Sequence, residues 1–102
     1  MPKILHIVVR KCWFDLMDNG YKRVEYRLVK PYWTRILMEK DCKTFKKFDE
    51  VHIRNGYGGK KILKFKHSAT IKQVTDYPET GKREFLYVIG LGERIDKVEV
   101  KK

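Results

Sequence analysis

A chain of 102 residues with 42% hydrophobic and 13% aromatic content is one globular domain, spanning 1–102, with a modest core. No stretch approaches the roughly 18 apolar residues of a membrane span. The reading is therefore of a soluble chain with no membrane partner. Its 24 Lys and Arg against 13 Asp and Glu leave a net charge of +11, which attracts polyanions, and RNA or DNA is the commonest polyanion in a cytoplasm.

The opening Met1-Pro2-Lys3-Ile4 runs directly into strand-like sequence without the regions of a signal peptide, so a cytoplasmic location is expected. Lys3 to Val9 is β-branched and apolar and reads as a strand buried on both faces, with His6 inside it as a core or barrel-mouth residue. Arg10 to Asn19 places Trp13, Leu16 and Met17 at helical spacing, with Asp15 and Asp18 opposite. Asn19-Gly20 ends that helix, since glycine past a helix end takes positive φ without a Cβ clash. Lys22 then leaves a sharp turn, where a constrained backbone can hold a side chain over a cavity.

From Lys22 to Val29 a strand is expected, with Lys22, Val24, Tyr26 and Leu28 on one face and Arg23, Glu25, Arg27 and Val29 on the other. Glu25 and Arg27 project together, either as a surface ion pair worth no more than about 1 kcal/mol or as part of a site. Pro31 opens a second helix to about Glu39 or Lys40, with Tyr32, Trp33, Ile36 and Leu37 as its apolar stripe. A polar loop over 41–47 follows. Cys12 and Cys42 are too few and too far apart for a zinc site and read as reduced packing residues.

Phe48 to Arg54 reads as a strand with Val51 and Ile53 inward. It breaks at Asn55-Gly56-Tyr57-Gly58-Gly59, either a hairpin loop or an anion-binding concavity flanked by Arg54, Lys60 and Lys61. The Gly-Lys-Ser/Thr ending of a nucleotide P-loop is missing, which argues against an NTPase. Lys61 to Thr75 is a long strand, with Leu63, Phe65, His67, Ala69 and Ile71 facing one way and a bend near Ser68. Asp76 to Gly81 is turn chemistry, Phe85 to Leu91 a central strand, and Ile95 to Val100 a last edge strand after Gly92.

Strand, helix, strand, helix and three or four strands make an α+β fold. Gly20-Tyr21-Lys22-Arg23-Val24-Glu25-Tyr26-Arg27, written G-x-K-x-x-E-x-R, resembles the motif of the ASCH family, small β-barrel domains related to the PUA group of RNA-binding modules. The opening strand, the Trp13-Phe14-Asp15 helix and the late hydrophobic strand follow in the family's order. The resemblance implies a PUA-like curled β-barrel of five to six strands with two flanking helices, and a cleft beside the motif that binds RNA or a nucleotide. It calls for no cofactor and leaves the oligomeric state open.

Lys22 would meet a phosphate or carbonyl oxygen as a compact charge, and Arg27 offers a planar fork. Glu25 either holds Arg27 or acts as a general base. The candidate catalytic pair is thus Lys22 and Glu25; the candidate nucleic-acid-binding set is Lys22 and Arg27, with Lys11, Arg54 and Asn55 as a second tier. Three alternatives to simple binding stand beside it. One is a ribonuclease using Glu25 with Lys22 or Arg27, although no Asp, Glu and His cluster shows metal-ligand spacing. Another is an N4-acetylcytidine amidohydrolase, for which the resemblance implies a threonine where this chain has Glu25 and a carboxylate from a later insertion, here only a short turn with Asp76 and Glu79. The third is a protein-interaction module for an acidic partner.

Overall fold

The computed structural model describes residues 2–56 and 58–96. They form an α+β domain of five strands and two helices: β1 (Ile4–Val9), α1 (Lys11–Asp18), β2 (Val24–Leu28), α2 (Pro31–Leu37), β3 (Glu50–Asn55), β4 (Ile62–Asp76) and β5 (Arg83–Arg94). One mixed sheet has the order β1-β3-β4-β5-β2, with β1 parallel to β3 and every other neighbour antiparallel. The sheet is not closed into the expected barrel, because β1 and β2 are its two edges and exchange no ladder bonds.

The core gathers Leu5, Ile7 and Val9 of β1, Val51 and Ile53 of β3, Leu63 and Phe65 of β4 and Tyr87 and Ile89 of β5 beneath Phe14 and Met17 of α1 and Leu37 of α2. β1 is buried on one face only. His6 lies on the exposed side with its ring edge-on to His52 at 5.3 Å between centroids, so it is neither core nor barrel mouth. α1 and α2 pack over the face of Leu5, Ile7 and Val9, the opposite face is exposed at His6, and alternation then holds along β1.

In α1 the buried pair is Phe14 and Met17, while the expected Leu16 is exposed. The helix ends as the sequence predicts. Gly20 has φ +83°, its N–H bonds to the Met17 carbonyl at 3.2 Å, and Tyr21 N–H reaches the Leu16 carbonyl at 2.9 Å. Those two bonds make a Schellman end. α2 starts at Pro31 but stops at Leu37, short of the expected Glu39, because Met38 turns extended and forms a bridge with Phe45, burying its side chain.

β4 bends where expected, with register shifts against β5 between Phe65 and Thr70. The bulge inverts the strand's faces, a consequence the regular alternation missed. Beyond it Thr70 is buried while Ala69 and Ile71 are exposed. β5 runs through Gly92 to Arg94 instead of ending at Leu91; Ile95 and Asp96 lie outside any strand, and the rest of the expected last strand, 97–100, lies outside the described residues.

Candidate functional site

The site is assembled by two local devices. The first is the Schellman end of α1: the Leu16 carbonyl also accepts the Lys22 N–H at 3.0 Å, so the backbone of Lys22 is pinned to the helix before the strand begins. The second is the alternation of β2. Glu25 and Arg27 pair in register with Ile89 and Tyr87, both fully buried, so acid and guanidinium enter from the core face of an edge strand. Lys22 was expected on the opposite face. Because β2 begins only at Val24, that alternation does not reach Lys22, and its Nζ swings to 3.9 Å from Glu25 Oε1.

Arg27 spans the open seam of the sheet. Its Nη2 donates to Glu25 Oε2 at 2.5 Å and to the Val8 carbonyl of β1 at 2.8 Å, and its guanidinium carbon stands 4.9 Å from the Trp33 ring centroid. A side chain thus joins the two edges that the backbone leaves apart. Among the described residues, Arg27 Nε is the only buried side-chain nitrogen or oxygen without a hydrogen-bond partner. Lys22 Nζ lies between two aromatic rings, 4.8 Å from Trp13 and 5.0 Å from Tyr26, a position in which ring quadrupoles offset part of the lost hydration.

Lys22, Glu25 and Arg27 line one cleft of about 290 Å³. Arg10, Trp13, Tyr26, Tyr77 and Glu79 complete its walls. The turn after β4 reaches across, and Glu79 accepts the Trp13 Nε1–H at 2.6 Å and pairs with Arg10 at 3.2 Å. Sequence reasoning did not place these residues in the site. Trp13 carries a visible signal as an aromatic just before the motif; Glu79 carries only the one that the resemblance supplies, a carboxylate in the late turn, and Tyr77 carries none.

Electrostatics follow burial. Glu25 is 5% exposed. Burial pushes its carboxyl above the ordinary range, against the opposing pull of the Arg27 and Lys22 cations. Burial likewise pulls the Lys22 ammonium down, with the Glu25 charge resisting. The two shifts run in opposite directions, and in both burial disfavours the charged form. The Tyr77 phenol is raised by burial and by the Glu79 charge.

The second-tier residues do not join the cleft. Lys11 is exposed on α1 and pairs with Asp15 at 2.8 Å. Arg54 donates to the Gly59 carbonyl at 2.8 Å, bracing the glycine turn, and Asn55 ends β3 beside it. Tyr57 of that turn lies outside the described residues. A larger hollow of about 650 Å³ lies against α2, lined by Thr34, Met38 and Cys42 among others, and contains no motif residue. Both cysteines are free and exposed, not packed as expected.

Among the described residues no group of three His, Cys, Asp or Glu stands close enough to hold a metal ion. None of their helices is long and apolar enough to cross a membrane. Comparison of the chain with protein-family models, with curated proteins and with solved structures finds no match.

Proposed function

We propose that this chain is an ASCH-like domain, a PUA-type sheet left open along one seam, that binds RNA or a nucleotide in the cleft beside its G-x-K-x-x-E-x-R segment. The observation that carries the reading is the convergence of Lys22, Glu25 and Arg27 on one concave opening although Lys22 lies outside the strand that holds the other two. Convergence of that kind is wasted on a surface ion pair. The cleft's volume lies near the lower end of the roughly 300–1,000 Å³ typical of small-molecule sites. It suits one unpaired base or nucleotide and is too small for a helix, in keeping with RNA recognition through splayed single-stranded bases. Trp13 and Tyr26 supply flat walls, Lys22 a compact cation, and Arg10 an exposed cation at the rim.

Hydrolysis in the same cleft is the second reading, favoured by the raised carboxyl of Glu25 and by the arrival of a second carboxylate, Glu79. In a ribonuclease Glu25 would take the 2′-hydroxyl proton while Lys22 and Arg27 meet the developing negative charge. An amidohydrolase would need another group where the resemblance implies a threonine, since Glu25 stands there. For a protein-interaction module, the cleft's depth offers no particular argument.

The test is incubation of the purified protein with mixed RNA and modified nucleosides, with and without Mg²⁺ or Mn²⁺, followed by mass analysis and affinity measurement. Wild type should retain RNA or nucleotide. Lys22→Met, which keeps an apolar stem between Trp13 and Tyr26 and removes the ammonium, should bind about ten- to a hundredfold more weakly, the range of a hydrogen bond to a charged group. Equal affinity in the two proteins would remove the cleft from the account. Cleaved or deacetylated products lost on Glu25→Gln would replace the binding reading with the hydrolytic one.

A further inference from the structure

The distal half of β4 is an open sheet edge. β3 pairs with β4 only over Ile62–Lys66, whereas β5 accompanies β4 to Asp76. Over 71–76 no described backbone group bonds to the side away from β5. The strip is also apolar for a surface: Ile71 and Val74 are exposed, and Phe85, the register partner of Val74, is 64% exposed on the face that carries the buried Tyr87 further along β5. An open edge with apolar side chains is a template for another strand.

The pairing pattern says which residues offer bonds. Tyr77 N–H donates to the Lys82 carbonyl, so at Tyr77 the backbone points toward β5. In an antiparallel ladder that direction alternates. Lys72, Val74 and Asp76 therefore point their N–H and C=O groups outward. We propose that this edge pairs with the same edge of a second copy of the chain, antiparallel about a two-fold axis through Val74. Opposed residues then number to the same sum: Val74 meets Val74 of the other copy, and Lys72 meets Asp76 twice. Each of these pairs exchanges two backbone hydrogen bonds, and opposite charges face each other at both ends of the strip.

This charge match favours a second copy as occupant, and a two-fold axis at Gln73 or Thr75 does not produce it. Among the described residues Asp76 pairs only with the exposed Arg83, at 3.9 Å. Overall repulsion between two copies of charge +11 opposes the contact, so the dimer should form at physiological salt, where charges more than about 8 Å apart are largely screened. Contact along one short strand is small, and the association should be reversible. It would also brace the strand end that carries Tyr77 and Glu79, one wall of the cleft.

Sedimentation equilibrium of the full chain over a range of concentrations tests this in about 0.15 M salt. Wild type should show a reversible dimer. Asp76→Lys and Lys72→Glu, which set like charges opposite one another, should each weaken association about tenfold, and the two combined should restore it. Val74→Pro removes an N–H that the monomer does not use, and should give a monomer of unchanged circular dichroism. A wild type that stays monomeric at the highest concentration reached would overturn the proposal, leaving the edge to solvent or to an extended peptide of another protein. A dimer indifferent to all of these substitutions would overturn it equally, by placing the contact elsewhere.

Discussion

Glu25 is a buried carboxyl on the core face of an edge strand. A carboxyl so buried, beside one guanidinium and one ammonium, is pushed up by lost hydration more than its two cations pull it down. The sign for stability follows from linkage. A folded-state value above the unfolded value of about 4.5 means that the folded protein holds the proton longer. Stability from this group is complete below pH 4.5 and is lost as pH rises through the folded value. Wild type should therefore lose stability relative to Glu25→Gln as pH is raised from about 4 toward 7, as read by urea unfolding at each pH. A difference that stays constant, or that grows in favour of wild type, would mean that Arg27 and Lys22 outweigh burial. If the hydrolytic reading holds, the upward shift of Glu25 and the downward shift of Lys22 would bring an acid and a base toward neutral pH from opposite sides.

Elements differ in how much of their placement the sequence reveals. The end of α1 at Asn19-Gly20, the Pro31 start of α2 and the inward pair Val51 and Ile53 are legible because each is fixed within a few residues: a positive φ, a missing N–H, an alternation. The joint projection of Glu25 and Arg27 is legible for the same reason. The approach of Lys22 to Glu25 follows from the family resemblance and not from alternation, because it depends on where β2 begins, and the contact of Glu79 with Trp13 follows from neither. The bulge itself could be anticipated near Ser68, but not the reversal of faces it causes, and the strand-ending role assigned to Gly92 was wrong. Gly90 and Gly92 lie within β5 where the bulged segment of β4 comes close: a Cβ on Gly90 would stand 3.1 Å from the Ala69 carbonyl oxygen and from Ser68 Cβ, and one on Gly92 would stand 3.0 Å from the Lys66 carbonyl oxygen. Close approach of strand to strand is what these glycines permit. Gly90→Ala should lower stability by about 1–3 kcal/mol, the cost of overpacking against backbone that has little room to retreat, and it should do so without altering circular dichroism. A neutral Gly90→Ala would show that the bulge yields freely.

At the scale of the whole molecule, the charge and the cleft are separate instruments. The cleft holds three cations, Arg10, Lys22 and Arg27, against two carboxylates, Glu25 and Glu79, a net of +1 within a chain of +11. If the proposed RNA binding holds, long-range attraction of the polyanion would come from the surface lysines and arginines, and the cleft would contribute local recognition. These two contributions separate in salt dependence, since affinity for a single strand falls with a slope of roughly 0.7 in log K per log salt for each phosphate neutralised. Lys22 has a side chain only 11% exposed and paired with Glu25, so it displaces few counterions. If the proposed RNA binding holds, Lys22→Met should lower affinity by the same factor at every salt concentration, giving a line parallel to wild type. Arg10→Ala combined with Lys11→Ala removes one cation at the rim and one on the exposed face of α1, both with side chains about three-quarters exposed; it should flatten the line by up to about 1.4, two phosphates' worth. Fluorescence anisotropy with a short labelled RNA from about 50 to 200 mM salt reads this difference, since a slope change of about 1.4 over a fourfold change in salt is about sevenfold in relative affinity. A Lys22→Met line that flattens like the double variant would make Lys22 one more surface charge, and the buried trio would then lose its claim to recognition.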